Sequence, residues 1–159
     1  MSQAQWMMNS RIGDLYLVAS EKGLQGVSWK KEKTPLAKSL KEKKAAVRIL
    51  SRSVRQLEEY LNGERTTFNL PLDVSGTPFQ KRVWRELKKI PYGKTHSYKD
   101  IAHRIKNNKA VRAVGTANGA NPLCIIVPCH RVIAADGSIG GYSGGLHIKR
   151  KLLKLEQSG

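Results

Sequence analysis

The apolar residues of the first half recur with two different spacings. Two short runs, residues 15–19 and 24–29, flank a turn at residues 21–23 and predict a pair of strands. A lysine-rich stretch follows, which we expect to be a solvated connection. Four apolar side chains then recur at helical spacing, and Asn62-Gly63 ends the helix that they predict: Leu50, Val54, Leu57 and Leu61. These elements predict a small N-terminal α/β domain over residues 1–73, and residues 70–76, with Pro71, Asp73 and Gly76, predict a linker between the two halves.

Two helix starts are recognisable in the second half. Thr77 offers an N-cap, Pro78 occupies the first helical position, and Gln80 completes a capping box before an apolar stripe that ends at Ile90. Ser97 and Asp100 form a second capping box that opens a short helix. After a turn at residues 107–108, a third helix is predicted over residues 109–119. Two short helices joined by a tight turn indicate a helix-turn-helix in a C-terminal domain over residues 77–159.

The third helix is made almost entirely of small residues around one long cation, Arg112. Small side chains let a helix approach a partner closely, but a buried helix in a tight core explains the pattern as well. Arg112 favours an exposed surface, because a lone arginine among small residues is placed to protrude.

The remaining pattern predicts a buried strand, a hairpin and a last helix. The apolar run 123–127 is ended by Pro128, and Asp136-Gly137 is typical of a hairpin turn. A glycine-rich loop follows at residues 140–145. In the last helix we expect Ile148, Leu152 and Leu155 to share the buried face, with an end near Glu156.

The charge balance narrows the partners. The 159 residues include 29 Lys and Arg against 12 Asp and Glu, a formal charge of +17. Such a chain is attracted to nucleic acid or to an anionic membrane surface, although a basic protein without a specific partner has the same composition. No apolar run approaches the roughly 20 residues of a membrane span, and residues 1–11 lack the apolar core of a signal peptide. We expect a cytoplasmic protein, or a nuclear one if the source is eukaryotic.

Cys124 and Cys129 are the two cysteines of the chain. Cys124, between Leu123 and Ile125, is expected to be a small buried hydrophobe. Cys129 is followed by His130 and Arg131, and such cationic neighbours favour the reactive thiolate. Zinc is the competing interpretation, with ligands drawn from the cysteines and the four histidines. The spacing of the cysteines and the lack of a closely spaced histidine pair argue against it, so we expect neither a metal nor another cofactor.

The segment from Asn121-Pro122 to residues 128–133, Pro-Cys-His-Arg-Val-Ile, closely resembles the active-site signature of the O6-alkylguanine-DNA alkyltransferases. The resemblance covers nearly all of the second half with matching spacings, whereas the first half resembles the family only loosely. It extends over the following motifs: Thr77-Pro78-Phe79-Gln80, Val83-Trp84, Tyr92-Gly93, Ser97-Tyr98, Arg112-Ala113-Val114-Gly115, residues 140–145 and residues 152–156.

The resemblance implies an α+β protein, with a ribonuclease H-like N-terminal domain and a winged helix-turn-helix-like C-terminal domain that holds the active site. It also implies a DNA-repair reaction, in which an alkyl group moves from O6-alkylguanine to Cys129. O4-alkylthymine is a second candidate substrate. A thioether is not released by water under mild conditions, so each molecule reacts once.

Roles for further residues follow from the resemblance. His130 and Glu156 would relay the thiol proton through a water, and Asn121 would brace the loop. Tyr98 would donate to the guanine ring nitrogen N3. The substrate pocket would include three further residues: the backbone of Val132, Tyr142, and Ser143 near O6.

The implied partner is alkylated double-stranded DNA. Arg112 would enter the base stack while the small-residue helix, with Ala113 and Asn118, lies in the minor groove. The base must be flipped, because a buried cysteine cannot reach an O6 substituent inside a duplex. No membrane and no obligate protein partner is implied, and a monomer is expected.

The chain departs from the family at Lys151, where a tryptophan is common, and at Leu155, where a histidine is common. Three other functions compete with alkyl transfer. A binding-only relative would lack the acceptor, and a sequence-specific regulator would carry long polar side chains on its third helix. A cysteine hydrolase would turn over many times.

Overall fold

A computed structural model describes residues 3–158 of the chain. The chain divides into two compact units, Met1–Ser75 and Gly76–Gly159. The first unit holds a three-stranded sheet with one long helix, and the second is mainly helical. The chain is therefore an α+β protein, as predicted.

The N-terminal sheet contains the two predicted strands and a third that the pattern did not reveal. Strands β1 (Ala4–Met8), β2 (Leu15–Ala19) and β3 (Leu24–Ser28) pair antiparallel in the order β1-β2-β3. Strand β1 was missed because Gln5, a polar residue, is fully buried within it, so the expected alternation of apolar and polar positions is broken. Helix α1 (Ala45–Leu61) packs its predicted apolar stripe against this sheet.

Gln5 holds the lysine-rich segment in place. Its Nε2 donates to the carbonyl oxygens of Glu32 (3.0 Å) and Thr34 (2.6 Å), and its Oε1 accepts from the Glu32 amide at 2.9 Å. The segment is therefore anchored to β1 rather than freely solvated. The predicted linker also starts too early, because the Leu24 amide donates to the Pro71 carbonyl at 2.8 Å and places residues 71–73 beside β3.

Both capping boxes of the C-terminal unit are confirmed. They open α2 (Pro78–Leu87) and α3 (Tyr98–Arg104), with the side chains of Gln80 and Asp100 accepting from the backbone of their N-caps. Helix α4 (Val111–Gly119) follows α3 after a tight turn, which gives the predicted helix-turn-helix. The Trp84 indole donates to the Ala117 carbonyl at 2.8 Å and ties α2 to α4.

Residues 123–127 do not form the predicted strand. The Val127 amide donates to the Leu123 carbonyl at 2.9 Å, and Ile125 takes a positive φ of 75° at the tip of a tight turn. Apolar composition without length cannot distinguish a buried strand from a buried turn. A 3-10 turn, Cys129–Arg131, follows directly.

The predicted hairpin is also wrong beyond its turn. The chain turns at residues 134–138, but β5 (Val132–Ile133) pairs in parallel with β4 (His96–Ser97) and not with the residues after the turn. Parallel pairing over long sequence separation leaves no local signal.

None of the helices among residues 3–158 has the length and apolar character that crossing a membrane requires.

Helix α5 (Leu146–Ser158) is rotated relative to the prediction. Its buried side chains are Lys149, Leu152 and Glu156, whereas Ile148 and Leu155 are only partly buried. An apolar pattern does not place a charged residue on the buried face. Lys149 and Glu156 are nevertheless buried, because each has hydrogen-bond partners inside the unit.

Candidate active site

Cys129 lies on the 3-10 turn and is 2% exposed. Its amide donates to the Val127 carbonyl at 2.7 Å, which fixes the turn against the preceding loop. The thiol borders a cavity of about 190 Å³ between α3, α4 and the glycine-rich loop. The other residues that line the cavity are Tyr98, Gly115, Asn118, Gly119, Gly141, Tyr142 and Ser143.

Size alone does not identify this cavity as the site. A larger one of about 580 Å³ lies in the N-terminal unit, but neither a cysteine nor a histidine borders it. The smaller cavity is the one that brings a thiol, a phenol and a hydroxyl together, which is the chemistry that a group-transfer site requires.

His130 and Glu156 form a fully buried pair. The carboxylate can only accept, so His130 Nε2 donates to Glu156 Oε2 at 2.7 Å, and Nδ1 keeps the lone pair that can take a proton. The chain departs from the family pattern at Lys151 and Leu155 in the same helix, but these two residues do not separate Glu156 from His130.

Arg131 neutralises the same carboxylate. Its Nε and Nη2 donate to the two Glu156 oxygens at 2.8 and 3.0 Å, and its Nη1 donates to the Ile90 carbonyl at 2.8 Å. The Gly93 amide adds a fourth donor to Glu156 at 3.2 Å. The prediction that Arg131 promotes the Cys129 thiolate is wrong, because its guanidinium faces Glu156.

Burial lowers the pKa of His130 below its usual 6.5, although the hydrogen bond and charge of Glu156 act in the opposite direction. The imidazole is therefore neutral at physiological pH and able to accept a proton. Without the carboxylate its pKa would fall further.

The two thiols shift each other's pKa in opposite directions. The pKa of Cys124 is lowered to about 7, first by the neighbouring Cys129 thiol and then by the Ser143 hydroxyl, which lies 3.4 Å from the Cys124 sulfur. The pKa of Cys129 is raised well above its usual value by the Cys124 thiol and by burial, while Asn121 and Lys149 act to lower it. Of the two thiols, Cys124 therefore loses its proton more easily.

Asn121 braces the loop, as its predicted role requires. Its Nδ2 donates to the Val127 carbonyl at 2.8 Å, and its Oδ1 accepts from the Leu123 amide at 3.0 Å. One side chain therefore bridges both arms of the turn that precedes Cys129.

Tyr98 presents its phenol to the cavity from the start of α3. Burial raises its pKa, while the hydrogen bond from the Gly141 amide lowers it. The hydroxyl therefore stays protonated and can act as a donor. Gly140 must be glycine here: its φ is +74°, and a Cβ would lie 2.9 Å from the Tyr98 hydroxyl oxygen.

Lys149 is a functional residue that the sequence reasoning missed. Its fully buried Nζ donates to the carbonyls of Val132 (2.6 Å) and Gly141 (3.0 Å), and burial lowers its pKa to about 8. It therefore ties β5 to the loop that borders the cavity. Lys149 lies three residues before Leu152 and seven before Glu156 on one helical face, but that spacing alone does not predict the burial of a charged side chain.

Helix α4 separates the three residues predicted to meet DNA. Arg112 and Ala113 are exposed, but Asn118 is 5% exposed and its Nδ2 donates to the Cys129 carbonyl at 3.5 Å. Asn118 therefore belongs to the cavity and not to the exposed face. Tyr142 borders the cavity, and the Ser143 hydroxyl is 3.4 Å from the Cys124 sulfur. Val132 does not line the cavity, but Lys149 joins its carbonyl to that of Gly141, which does.

Within residues 3–158, no three histidine, cysteine, aspartate or glutamate side chains lie together as metal ligands. The expectation that the site works without a metal or another cofactor stays a prediction.

Comparison with known proteins gives concordant results for both units. The family profile described as 6-O-methylguanine DNA methyltransferase, DNA binding domain, matches residues 78–158, and the ribonuclease-like domain of the same description matches residues 6–74. A methylated-DNA–protein-cysteine methyltransferase of Methanosarcina acetivorans is 49% identical over 154 residues, which is 96% of this chain and 97% of that protein. One from Mycobacterium bovis is 56% identical over 108 residues, covering 68% of this chain and 66% of that protein.

A solved structure is similar over almost the whole chain. The crystal structure of Mycobacterium tuberculosis OGT in complex with DNA has a TM-score of 0.86 and 43% identity, covering 98% of this chain and 93% of that chain. Fold, site and relatives together define a DNA-binding enzyme of DNA repair that carries out alkyl transfer. The chain belongs to the 6-O-methylguanine DNA methyltransferase family.

Proposed function

We propose that Cys129 is the acceptor, and that it takes the alkyl group from O6-alkylguanine in double-stranded DNA once per protein molecule. One observation carries this assignment: Cys129 borders the cavity and is followed directly by His130, whose Nε2 lies 2.7 Å from Glu156. Cys124 does not border that cavity and lies behind the Ser143 hydroxyl.

The reaction is an in-line displacement at the alkyl carbon. The Cys129 sulfur forms a bond to carbon while the bond from carbon to O6 breaks, and the electron pair passes to the guanine. A thiolate suits this attack better than an oxygen nucleophile does. The product is a thioether, which water does not cleave under mild conditions, so the acceptor is consumed.

The thiol proton leaves towards His130 through an intervening water. Because Nε2 already donates to Glu156, Nδ1 is the nitrogen that accepts the proton. The Glu156 carboxylate then stabilises the imidazolium, while Arg131 and the Gly93 amide hold that carboxylate in place.

Guanine is a poor leaving group until its developing negative charge is met by a donor. The protonated Tyr98 phenol serves ring nitrogen N3 in this role. Ser143 donates near O6, and the backbone carbonyl of Cys129 accepts from the exocyclic amine. The Val132 carbonyl, the second acceptor for this amine, already accepts from Lys149, so it has one lone pair left for the base.

Arg112 replaces the flipped base in the stack. It lies near the start of α4 on an exposed face otherwise formed by small or short residues, and its guanidinium makes no ion pair within residues 3–158.

The protein acts as a monomer without an obligate protein partner, because the residues named for chemistry all lie within the C-terminal unit of one chain. Its place of action is the cytoplasm, or the nucleus in a eukaryote.

The acceptor is tested by weighing the protein after reaction with an O6-methylguanine oligonucleotide. We expect one added methyl, on Cys129, and a product yield that stops at one equivalent. Cys129→Ser removes the acceptor and should give no methyl, whereas Cys124→Ser, a matched substitution five residues away, should still take one. Trypsin leaves both cysteines in the peptide Ala113–Arg131, so fragment ions on either side of Pro128 assign the methyl.

Two results would contradict the assignment. A methyl on Cys124 would move the acceptor to the other thiol. Product that accumulates beyond one equivalent would identify a hydrolase rather than a single-use acceptor.

A further inference from the structure

The loop before the acceptor doubles back and brings Cys124 beside Cys129: the Cys124 sulfur lies 3.4 Å from the hydroxyl of Ser143, which borders the same cavity as Cys129. The Ile126 amide donates to the Cys124 carbonyl, the Val127 amide to the Leu123 carbonyl, both at 2.9 Å, and Cys124 bridges to Val127. Cys129 is then turned inward by its amide bond to the Val127 carbonyl at 2.7 Å. Asn121 spans both arms, so the juxtaposition of the two sulfurs is held by side-chain and backbone bonds alike.

Both sulfurs are sheltered, yet the pair has an entrance. Cys124 and Cys129 are each 2% exposed, and both are free thiols. The cavity of about 190 Å³ that Cys129 borders is large compared with the roughly 30 Å³ that a water molecule occupies in the liquid. A small peroxide can therefore reach Cys129 from the cavity.

We propose that Cys124 is a resolving thiol: when hydrogen peroxide oxidises the pair, Cys124 and Cys129 close a reversible disulfide that stores the acceptor sulfur in a recoverable form. The formation of this disulfide is independent of the proposed acceptor role of Cys129, and only its effect on repair rests on that role.

The chemistry balances with one peroxide per disulfide. The Cys129 thiol gives up its proton and its sulfur attacks the peroxide; a sulfur–oxygen bond forms, the oxygen–oxygen bond breaks, and the departing hydroxide takes up that proton and leaves as water. The Cys124 sulfur then attacks this sulfenic acid, the sulfur–sulfur bond forms, and the hydroxide that leaves takes up the Cys124 proton as a second water. Two thiols are oxidised and one peroxide is reduced.

The ionisation of Cys124 favours the second step. Its lowered pKa, about 7, supplies a thiolate at neutral pH that can attack the sulfenic acid. Without an adjacent thiol, a sulfenic acid proceeds with further peroxide to the sulfinic acid, which common thiol reductants do not reverse. Cys124 therefore protects a sulfur that the protein cannot replace.

The experiment treats the full-length protein with excess hydrogen peroxide and then divides it. Intact mass and fragment ions of the peptide Ala113–Arg131 are recorded on one half. The other half is incubated with dithiothreitol and assayed for transfer from an O6-methylguanine oligonucleotide. Each variant is compared with its own untreated sample, and Cys124→Ala and Cys124→Ser are the test proteins.

In the wild-type protein we expect a loss of two hydrogens, a bond between Cys124 and Cys129, and recovery of most of the transfer activity with dithiothreitol. In both variants we expect a gain of two oxygens on Cys129 and at least about tenfold less recovery, because sulfinic acid is not reduced. A wild-type protein that gains oxygen without forming the bond would overturn the proposal. Equal recovery in wild type and variants would overturn it as well. The wild-type mass result decides the matter alone if a variant does not fold.

Discussion

The Glu156 carboxylate accepts hydrogen bonds from two side chains with different roles. Arg131 holds the carboxylate as a charged, buried ion pair, while His130 uses the remaining acceptor capacity of the same group. Removing one partner of a buried ion pair commonly costs about 3–5 kcal/mol of stability, because the other charge is left uncompensated. The residue therefore contributes to folding and to proton transfer through the same atoms.

Glu156→Gln should slow single-turnover transfer by about 10²-fold at neutral pH, the usual scale of acid–base assistance. Burial already lowers the pKa of His130, and the carboxylate is the group that raises it again. Without that charge His130 is a weaker base, so proton removal from Cys129 becomes harder. The loss should shrink as the pH rises from about 6 to about 9, because the fraction of Cys129 ionised without His130 grows with pH even for a thiol whose pKa is raised.

The pH profile separates proton transfer from packing. A purely structural defect would slow transfer by the same factor at every pH, and a change in the thermal midpoint would accompany it. Thermal unfolding of both proteins is therefore measured alongside the rates. A wild-type rate across the whole range would remove Glu156 from the mechanism.

At the scale of elements, α4 divides its two faces between the cavity and the exterior. Val114, Ala117 and Asn118 are buried, whereas Arg112, Ala113 and Thr116 are exposed. Gly115 leaves ordinary van der Waals room for the Tyr98 ring, at 3.9 Å from where a Cβ would be. Small residues therefore serve both faces of this helix. On the exposed face they allow a partner to approach the helix backbone closely, and on the other face they allow the helix to pack close to Tyr98.

Arg112→Ala should slow repair of duplex DNA by about tenfold or more while leaving reaction with free O6-benzylguanine nearly unchanged. Only the duplex requires a base to be unstacked, which costs a few kcal/mol. The matched control is Thr116→Ala on the same exposed face, which should affect neither substrate strongly. Equal slowing of both substrates by Arg112→Ala would show that the residue acts on the chemistry or on folding instead.

The elements that the sequence predicted correctly are those with local rules. Capping boxes at Thr77 and Ser97 depend on residues three positions apart, so α2 and α3 could be placed from the chain alone. The parallel pair β4–β5 could not, because its strands lie far apart in the sequence.

The same division applies to the site. The position of Cys129, His130 and Asn121 in one turn follows from their proximity in sequence. The burial of Lys149 does not, because an apolar-only rule assigns a lysine to the surface unless its carbonyl partners are known. The proximity of Cys124 and Cys129 could not be predicted either. An extended strand at residues 123–127 would place the two residues far apart, whereas the observed turn brings them together.

At the scale of the whole molecule, the positive charge is unevenly distributed. Residues 76–159 carry 16 Lys and Arg against 4 Asp and Glu, whereas residues 1–75 carry 13 against 8. The C-terminal unit therefore holds most of the excess charge, together with the helix-turn-helix. Exposed cations at its turn, Arg104 and Lys109, precede α4 directly.

Affinity for undamaged duplex DNA should fall steeply with salt, by about 0.9 log unit per neutralised phosphate per decade. The double substitution Arg104→Gln and Lys109→Gln should therefore flatten the slope by up to about 1.8. Arg48→Gln with Arg52→Gln, an equal charge change on the exposed face of α1, should leave the slope nearly unchanged. Titrations at several salt concentrations give these slopes. Equal flattening in both double variants would mean that net charge, and not contact at the turn, attracts the DNA.

The turn at Ile125 restricts which residue can occupy this position. A left-handed φ costs a side chain with a Cβ about 1–2 kcal/mol, and glycine is the residue that escapes this cost. Ile125 is also 1% exposed, and truncating such a buried side chain costs about 2–5 kcal/mol. The loss of burial outweighs the relief of strain, so glycine is disfavoured although the backbone suits it. Glycine can replace isoleucine here without a net loss only where a neighbouring side chain fills the space, so residue 125 is tied to the packing of the loop that presents the acceptor.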